Sequence, residues 1–362
     1  MTNKISTGLL LLILTFSSRE VLAQAEAPKF SNEFLKIGVG ARALGMSNAF
    51  VASANDVTAG YWNPAGLTKL SSDFQVSLMH SEYFAGIAAY DYAAFASRID
   101  SVSSFGVSFI RFGVDDIPNT TQLIDSEGNI DFNRVTSFSA ADYAGLIYYA
   151  RESGINGLSY GANVKIIHRN VGDFADAWGF GLDAGARYER GKWTYAAMAR
   201  DVTSTFNAWT TNLDAETQRV FLLTGNELPE NSVELTLPEL LLGINRKFIF
   251  SNRIGMIAEL NLKNTFDGQR NVLFSGDPIS IDPSLGLEAT YDDLIFLRLG
   301  VGNIQVTDDI DGNRLTTFQP NFGIGVKFSS FSIDYALTDI GDRSVALYSN
   351  VFSLRIDLNR KN

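Results

Sequence analysis

Between residues 158 and 168 the even positions, Leu158, Tyr160, Ala162, Val164 and Ile166, are apolar, while the odd ones include Ser159, Gly161, Asn163 and Lys165. Successive side chains of a β-strand point to opposite faces, so this period of two predicts a strand with one oily and one polar face. The pattern returns over 178–188, 254–262 and 322–328, and continues over 285–291, 295–301, 331–337 and 352–358. It is less regular over 105–112 and 143–149, where bulges or strand extensions into water are expected. The fold class read from this is all-β.

Alternation is common to soluble sandwiches and membrane barrels, and connection lengths separate them. Fourteen strands are predicted, near 74–80, 88–98, 103–113, 138–150, 157–168, 178–188, 192–200, 237–248, 253–262, 284–291, 294–302, 319–328, 331–338 and 348–358. Short turns at 99–102, 151–156, 189–191, 249–252, 292–293 and 329–330 alternate with mostly long connections at 114–137, 201–236, 263–283, 303–318 and 339–347. An even strand number, with short turns at one end and long loops at the other, predicts a transmembrane antiparallel β-barrel of about 14 strands in contact with outer-membrane lipid. Aromatic residues beside the turns (Tyr188 and Trp193, Phe248 and Phe250, Phe328 and Phe331) and around the first hairpin (Tyr83, Phe84, Tyr90, Tyr92) are expected at the membrane interfaces.

Lys4, an apolar run over 9–16 and the small residues about Val21-Leu22-Ala23 predict a signal peptide over 1–23, too short to span a bilayer. There is no cysteine, hence no disulfide framework. The net charge of −11 has the wrong sign for a nucleic-acid partner. No linker or change of composition divides the chain, so residues 71–362 read as one barrel, preceded by a segment over 24–70.

That segment is rich in Ala, Gly and Val and has neither strand nor helix periodicity. A fourteen-stranded barrel is too wide for wall side chains to fill, so residues 24–70 are predicted to enter it from the short-turn, periplasmic side as a plug. Its small side chains would pack against Gly161, Gly179, Gly181, Gly323 and Gly325, and a turn at Asn63-Pro64-Ala65-Gly66 would end it. Strand parity points Lys165, Asp183, Arg187, Glu259, Glu288, Arg298, Lys327, Asp334 and Arg355 into the lumen. They either line a conduit or form salt bridges that hold plug and wall together.

Gly40-Ala41-Arg42-Ala43-Leu44-Gly45-Met46, Ala49-Phe50-Val51-Ala52, Asp56 and Trp62-Asn63-Pro64-Ala65-Gly66-Leu67 resemble the N-terminal signature of the PorV/PorQ family of bacterial outer-membrane proteins. The resemblance implies a FadL-like barrel. It also implies a non-enzymatic component of the type IX secretion system that docks to the translocon, binds the C-terminal domains of exported cargo and passes it to the surface attachment machinery. Asp115, Asp116, Asp125, Glu127 and Asp131 in one long loop, and Asp214, Glu216, Glu227 and Glu230 in another, would form an acidic rim for such partners. The chain departs from the family at Ser47-Asn48, where Gly-Gly is frequent.

The alternative function is a channel for a hydrophobic ligand, with Ile117, Phe221, Leu222 and Leu223 as apolar loop residues. A lipid hydrolase would need His80 or His168 to activate a serine, but neither lies in a recognisable motif. Asp308, Asp309, Asp311 and Gly312 hint at a calcium loop, but Thr307 and Phe318 occupy the first and twelfth ligand positions. No cofactor or metal is expected.

Overall fold

The protein is described here by a computed structural model covering residues 31–124, 129–308, 313–338 and 348–360. The signal peptide, Asp125, Glu127, Asp309, Asp311 and Gly312 lie outside the described residues.

The strands are β1 (Phe74–Tyr83), β2 (Ala88–Arg98), β3 (Ser103–Asn119), β4 (Thr136–Glu152), β5 (Leu158–Val171), β6 (Ala175–Arg190), β7 (Trp193–Arg200) and β8 (Thr205–Thr211). They continue as β9 (Ser232–Thr236), β10 (Glu239–Ile249), β11 (Ile254–Thr265), β12 (Ser280–Tyr291), β13 (Ile295–Asp308), β14 (Arg314–Phe328), β15 (Phe331–Thr338) and β16 (Ser349–Leu358). The pairing is antiparallel throughout, and β1 against β16 closes the sheet from Phe74↔Leu358 to Glu82↔Asn350.

The sixteen segments make fourteen staves. β6 pairs with β7 over Ala184–Arg190 and with β8 over Ala175–Phe180, so β7 and β8 are one stave broken at residues 201–204. β9 and β10 are likewise one stave, broken at Leu237-Pro238, where proline has no N–H to give the ladder. Asp201 and Ser204 adopt φ of 54° and 57°, and the Asp201 N–H donates to Asp183 Oδ1 at 2.7 Å in place of a ladder bond.

The expected long loops are shorter than the sequence indicates, because strands run on beyond the apolar pattern. β3 reaches Asn119 after a bulge between Val114 and Ile117, and β13 and β14 nearly meet across 303–318. The connection over 201–236 holds a hairpin and the helix Ala215–Leu223. Outside the membrane no lipid enforces alternation, so these extensions read as loops.

The wall is apolar outside and polar inside. On β5, Tyr160 and Ile166 are exposed while Asn163 and Lys165 are buried. Exposed Leu78, Ile147, Phe180, Leu285, Leu297 and Phe322 extend this exterior round the barrel, as on the lipid-facing side of a membrane barrel. Among the described residues no helix is long and apolar enough to cross a membrane. The irregular patterns over 105–112 and 143–149 are not bulges. β3 and β4 stay in register from Ser103↔Arg151 to Val114↔Ala140, and Ile110, Ala144, Leu146 and Tyr148 point inward into an apolar core. Tyr90 and Tyr92 belong to the same core rather than to the interface, since both are buried inside the wall.

Candidate functional site: hatch, ion-pair network and luminal cavity

Residues 31–70 form the other half of that core. They fold into four short helical turns, Glu33–Lys36, Ala41–Leu44, Ala59–Trp62 and Pro64–Lys69, and Val39, Met46, Phe50, Val57 and Leu67 have no exposed surface. Contacts run round the wall. The Ala41 N–H donates to Ser353 Oγ on β16 at 2.8 Å, Asn163 on β5 donates to the Gly60 carbonyl at 3.1 Å, and Asn261 on β11 donates to the Asn48 carbonyl at 3.0 Å. A segment touching staves on all sides stands across the lumen, and we call it the hatch.

Its motif residues are placed by packing and hydrogen bonding. Gly40 has φ of 84°, a conformation glycine adopts without strain. Gly45 lies so close to Gly323 that an added Cβ would sit 2.9 Å from the Gly323 Cα. Met46 backs onto Gly286 and Gly300. Trp62 donates through Nε1 to the Val39 carbonyl at 2.9 Å. Asn63 caps the Pro64–Lys69 turn by accepting from the Ala65 N–H at 3.2 Å, and it donates to the Ala186 carbonyl of the wall at 3.1 Å. A Cβ on Gly66 would strike the Ala54 carbonyl. Of the wall glycines expected to receive the insert, Gly161 and Gly323 do. Gly179, Gly181 and Gly325 make room instead for Asn207, Thr205 and Asp334 of the wall itself, and Gly185 and Gly243 take up the hatch.

The buried charges form a network. Arg42 grips Glu288 with two bonds, Nε to Oε2 at 2.8 Å and Nη2 to Oε1 at 2.7 Å. Arg298 donates to Glu288 Oε2 and to Asp334 Oδ1, both at 2.7 Å. Asp56 of the hatch accepts from Arg355 at 2.9 Å and from Arg42 at 3.4 Å, and its other oxygen accepts from the Thr58 N–H at 2.9 Å. Two hatch residues and four wall residues thus share one chain of alternating charge. Lys165 bridges Asp183 (2.8 Å) and Asp201 across the break between β7 and β8. Glu259 accepts from the Ala52 N–H at 2.7 Å and from the Ser53 hydroxyl, and Arg187 donates to the Ala52 carbonyl at 3.2 Å while pairing with Glu189. Lys327, the most exposed of the nine inward charges, lies 3.9 Å from Asp357.

None of those nine lines the main cavity. About 510 Å³ of space lies between the hatch and the long-loop end, bounded by Phe84 of the first hairpin turn and by Thr338 and Ser349. Ile37, Leu44, Trp62, Phe112 and Leu241 supply apolar lining. Asn48, Asn261, Ser284, Gln319 and Asn321 supply hydrogen-bonding groups. Its charges went unrecognised in the sequence. Lys36 pairs with Glu239 at 2.8 Å and Glu33 at 2.9 Å, Lys263 with Asp282 at 3.0 Å, and Arg200 lies 4.7 Å from the ring centre of Tyr61 and 5.7 Å from that of Trp62. Lys263 lies just past the strand expected over 253–262, and Arg200 and Glu239 sit at strand ends beside the stave breaks.

Three of the acidic loop residues make local contacts. Asp115 pairs with Arg111, Asp131 accepts from the Asn133 N–H, and Asp214 caps the helix Ala215–Leu223 by accepting from the Thr217 N–H at 2.7 Å. His80 and His168 both lie on the outward face. His80 bonds to Asp91 at 2.7 Å, and His168 stacks between Tyr143 and Trp178. Among the described residues no group of three His, Asp or Glu side chains is placed to hold a metal.

No family model matches this chain, and no curated protein matches it. Solved structures do. The toluene transporter TodX of P. putida aligns with a TM-score of 0.54 at 12% identity, covering 90% of this chain and 99% of its own. CymD, a monoaromatic hydrocarbon channel, gives 0.56 at 13% over 90% and 99%. A Pseudomonas aeruginosa FadL homologue gives 0.53 at 12% over 88% and 97%. The fold is that of a FadL-type barrel. This similarity overturns the type IX secretion reading. The proteins that share the architecture over nearly the full chain are hydrocarbon transporters and channels, and the expected translocon and cargo partners rested on the N-terminal motif alone.

Proposed function

We propose that this FadL-type barrel is an outer-membrane channel for hydrophobic small molecules, with the cavity above the hatch as its entry site. The observation that carries the reading is that cavity. It is large enough for a drug-sized molecule, and Ile37, Leu44 and Trp62 of the hatch with Phe112 and Leu241 of the wall supply apolar lining. Burying such surface against an apolar molecule is favourable by about 25 cal/mol per Å². Opposite side-chain amides would orient any polar end of the ligand. The hatch serves as the floor, held by Arg42 and Asp56, so the motif from Gly40 to Leu67 marks a barrel seal in this proposal.

The test is uptake in a strain whose own hydrocarbon and fatty-acid channels are deleted. Expression of this chain should restore uptake of a labelled monoaromatic hydrocarbon or long-chain acid, and Leu241→Arg, placed in the cavity wall, should abolish it with the barrel still assembled. A folded barrel in the membrane that takes up no apolar probe would refute the proposal. Deleting residues 26–66 should raise permeability to large antibiotics, and unchanged permeability would show that the hatch does not seal.

A further inference from the structure

The apolar exterior has a notch. Six to eight residues from their short-turn ends, most staves present an outward aliphatic or aromatic side chain, among them Ile166 on β5, Leu182 on β6, Leu242 on β10, Leu260 on β11, Leu285 on β12 and Phe322 on β14. At the same distance β1, β2 and β3 present His80, Asp91 and Arg111, which stand directly opposite one another in register. With about 3.3 Å per residue and a strand tilt near 40°, these side chains lie about 15–20 Å above the short-turn end, inside an apolar band about 25 Å tall. They are outward: His80 is 54% and Asp91 44% exposed, and Leu78, two residues below His80, is an exposed belt residue.

The charges are linked but not neutralised. His80 Nδ1 and Asp91 Oδ1 are 2.7 Å apart, Arg111 lies 3.8 Å from Asp91 and 3.3 Å from Asp115, and Glu82 stands 4.0 Å from the His80 ring. Three carboxylates face one guanidinium, and acyl chains cannot solvate the excess. The hairpin joining β1 and β2 ends just above, with only residues 84–87 in the turn. Continuity with the lipid-facing belt makes lipid the occupant of this face as of the others, and its charge demands the polar part of the lipid.

We propose that the outward face of β1–β3 draws the head groups of the outer leaflet down to the level of His80, Asp91 and Arg111, so that the bilayer is thinner beside these three strands than round the rest of the barrel. A short apolar belt is accommodated by local thinning, and head-group amines and bound cations would balance the excess carboxylates. The inference rests on the barrel spanning a bilayer and not on what it carries.

Spin labels read this directly in lipid vesicles. Ala93→Cys places a label outward on β2 beside the notch with every charged residue kept, and Val164→Cys places one outward at matching height on β5. The expected result is a several-fold higher ratio of aqueous nickel-chelate to oxygen accessibility at 93 than at 164, abolished when His80, Asp91 and Arg111 are together replaced by Leu. Equal ratios dominated by oxygen would overturn the proposal, as would a difference that persists in the triple variant. Exclusion of both reagents at 93 would show that protein, such as a second copy of this chain, covers the face, which also overturns it. Nickel access at both positions would refute the membrane embedding itself.

Discussion

Glu288 sits at the centre of the luminal network, holding Arg42 of the hatch and Arg298 of the wall while almost wholly buried. Removing one partner of a buried ion pair leaves the other charge without compensation, at about 3–5 kcal/mol. Glu288→Gln should therefore lower the thermal transition of the hatch and raise dye permeability. A Glu288→Leu, Arg42→Met, Arg298→Met, Asp334→Leu variant should recover much of the stability, because no member of that part of the network is left unpaired and Asp56 keeps Arg355. Heat-dependent migration of the barrel and dye influx measure both. Gly161 supplies a steric counterpart. A Cβ there would lie 2.8 Å from the Ala65 nitrogen and Pro64 carbon, so Gly161→Ala should cost about 1–3 kcal/mol by pushing the hatch from the wall, again read as a lowered thermal transition.

Among the elements, the loop between β11 and β12 is pinned by Asp267, which Arg270 engages at 2.9 Å. Burial pushes the Asp267 carboxyl up, but the hydrogen bond and charge of Arg270 outweigh it and hold the group below the usual carboxylate range. A depressed folded value means that the stabilisation is complete above the unfolded carboxylate pKa of about 4 and disappears as the pH falls through the lower folded value. Limited proteolysis should thus find this loop protected from neutral pH down to about 4 and increasingly cleaved below it, with the pH dependence lost in Asp267→Asn. The strands themselves were legible in the sequence because lipid is a uniform solvent: every outward position from Leu158 to Ile166 answers to the same requirement. Tyr90 and Tyr92 face inward instead of standing at the interface because the inner face of β2 is apolar, packed against the hatch, while its outer face carries Asp91, so alternation does not tell which face meets lipid. Arg200 and Glu239 keep the inward parity of β7 and β10 but stand at strand ends beside the breaks at 201–204 and Leu237-Pro238, where the sequence reads as the edge of a long loop. Nor could pairing be read locally, since Arg42 and Glu288 are 246 positions apart.

Across the whole molecule, stability divides between an exterior matched to lipid and an interior locked by charge. An arginine placed on the exterior at Leu285, six residues from the short-turn end of β12, should destabilise the barrel by about 2–4 kcal/mol in denaturant titrations from vesicles, as expected for a charge near the bilayer midplane. The inward charges tolerate burial because all but Glu259 have a charged partner, and Glu259 accepts from the Ala52 N–H and the Ser53 hydroxyl. The hatch also imposes an order on biogenesis. Its residues precede every strand, yet Ala41 and Asp56 find Ser353 and Arg355 on the last one, over three hundred and nearly three hundred positions later. The final hairpin therefore completes two seams together, the one that closes the cylinder against β1 and the one that fastens the hatch. A chain that stalls before β16 emerges is left with an open edge and an unfastened gate at once, the condition in which assembly machinery would have to hold it.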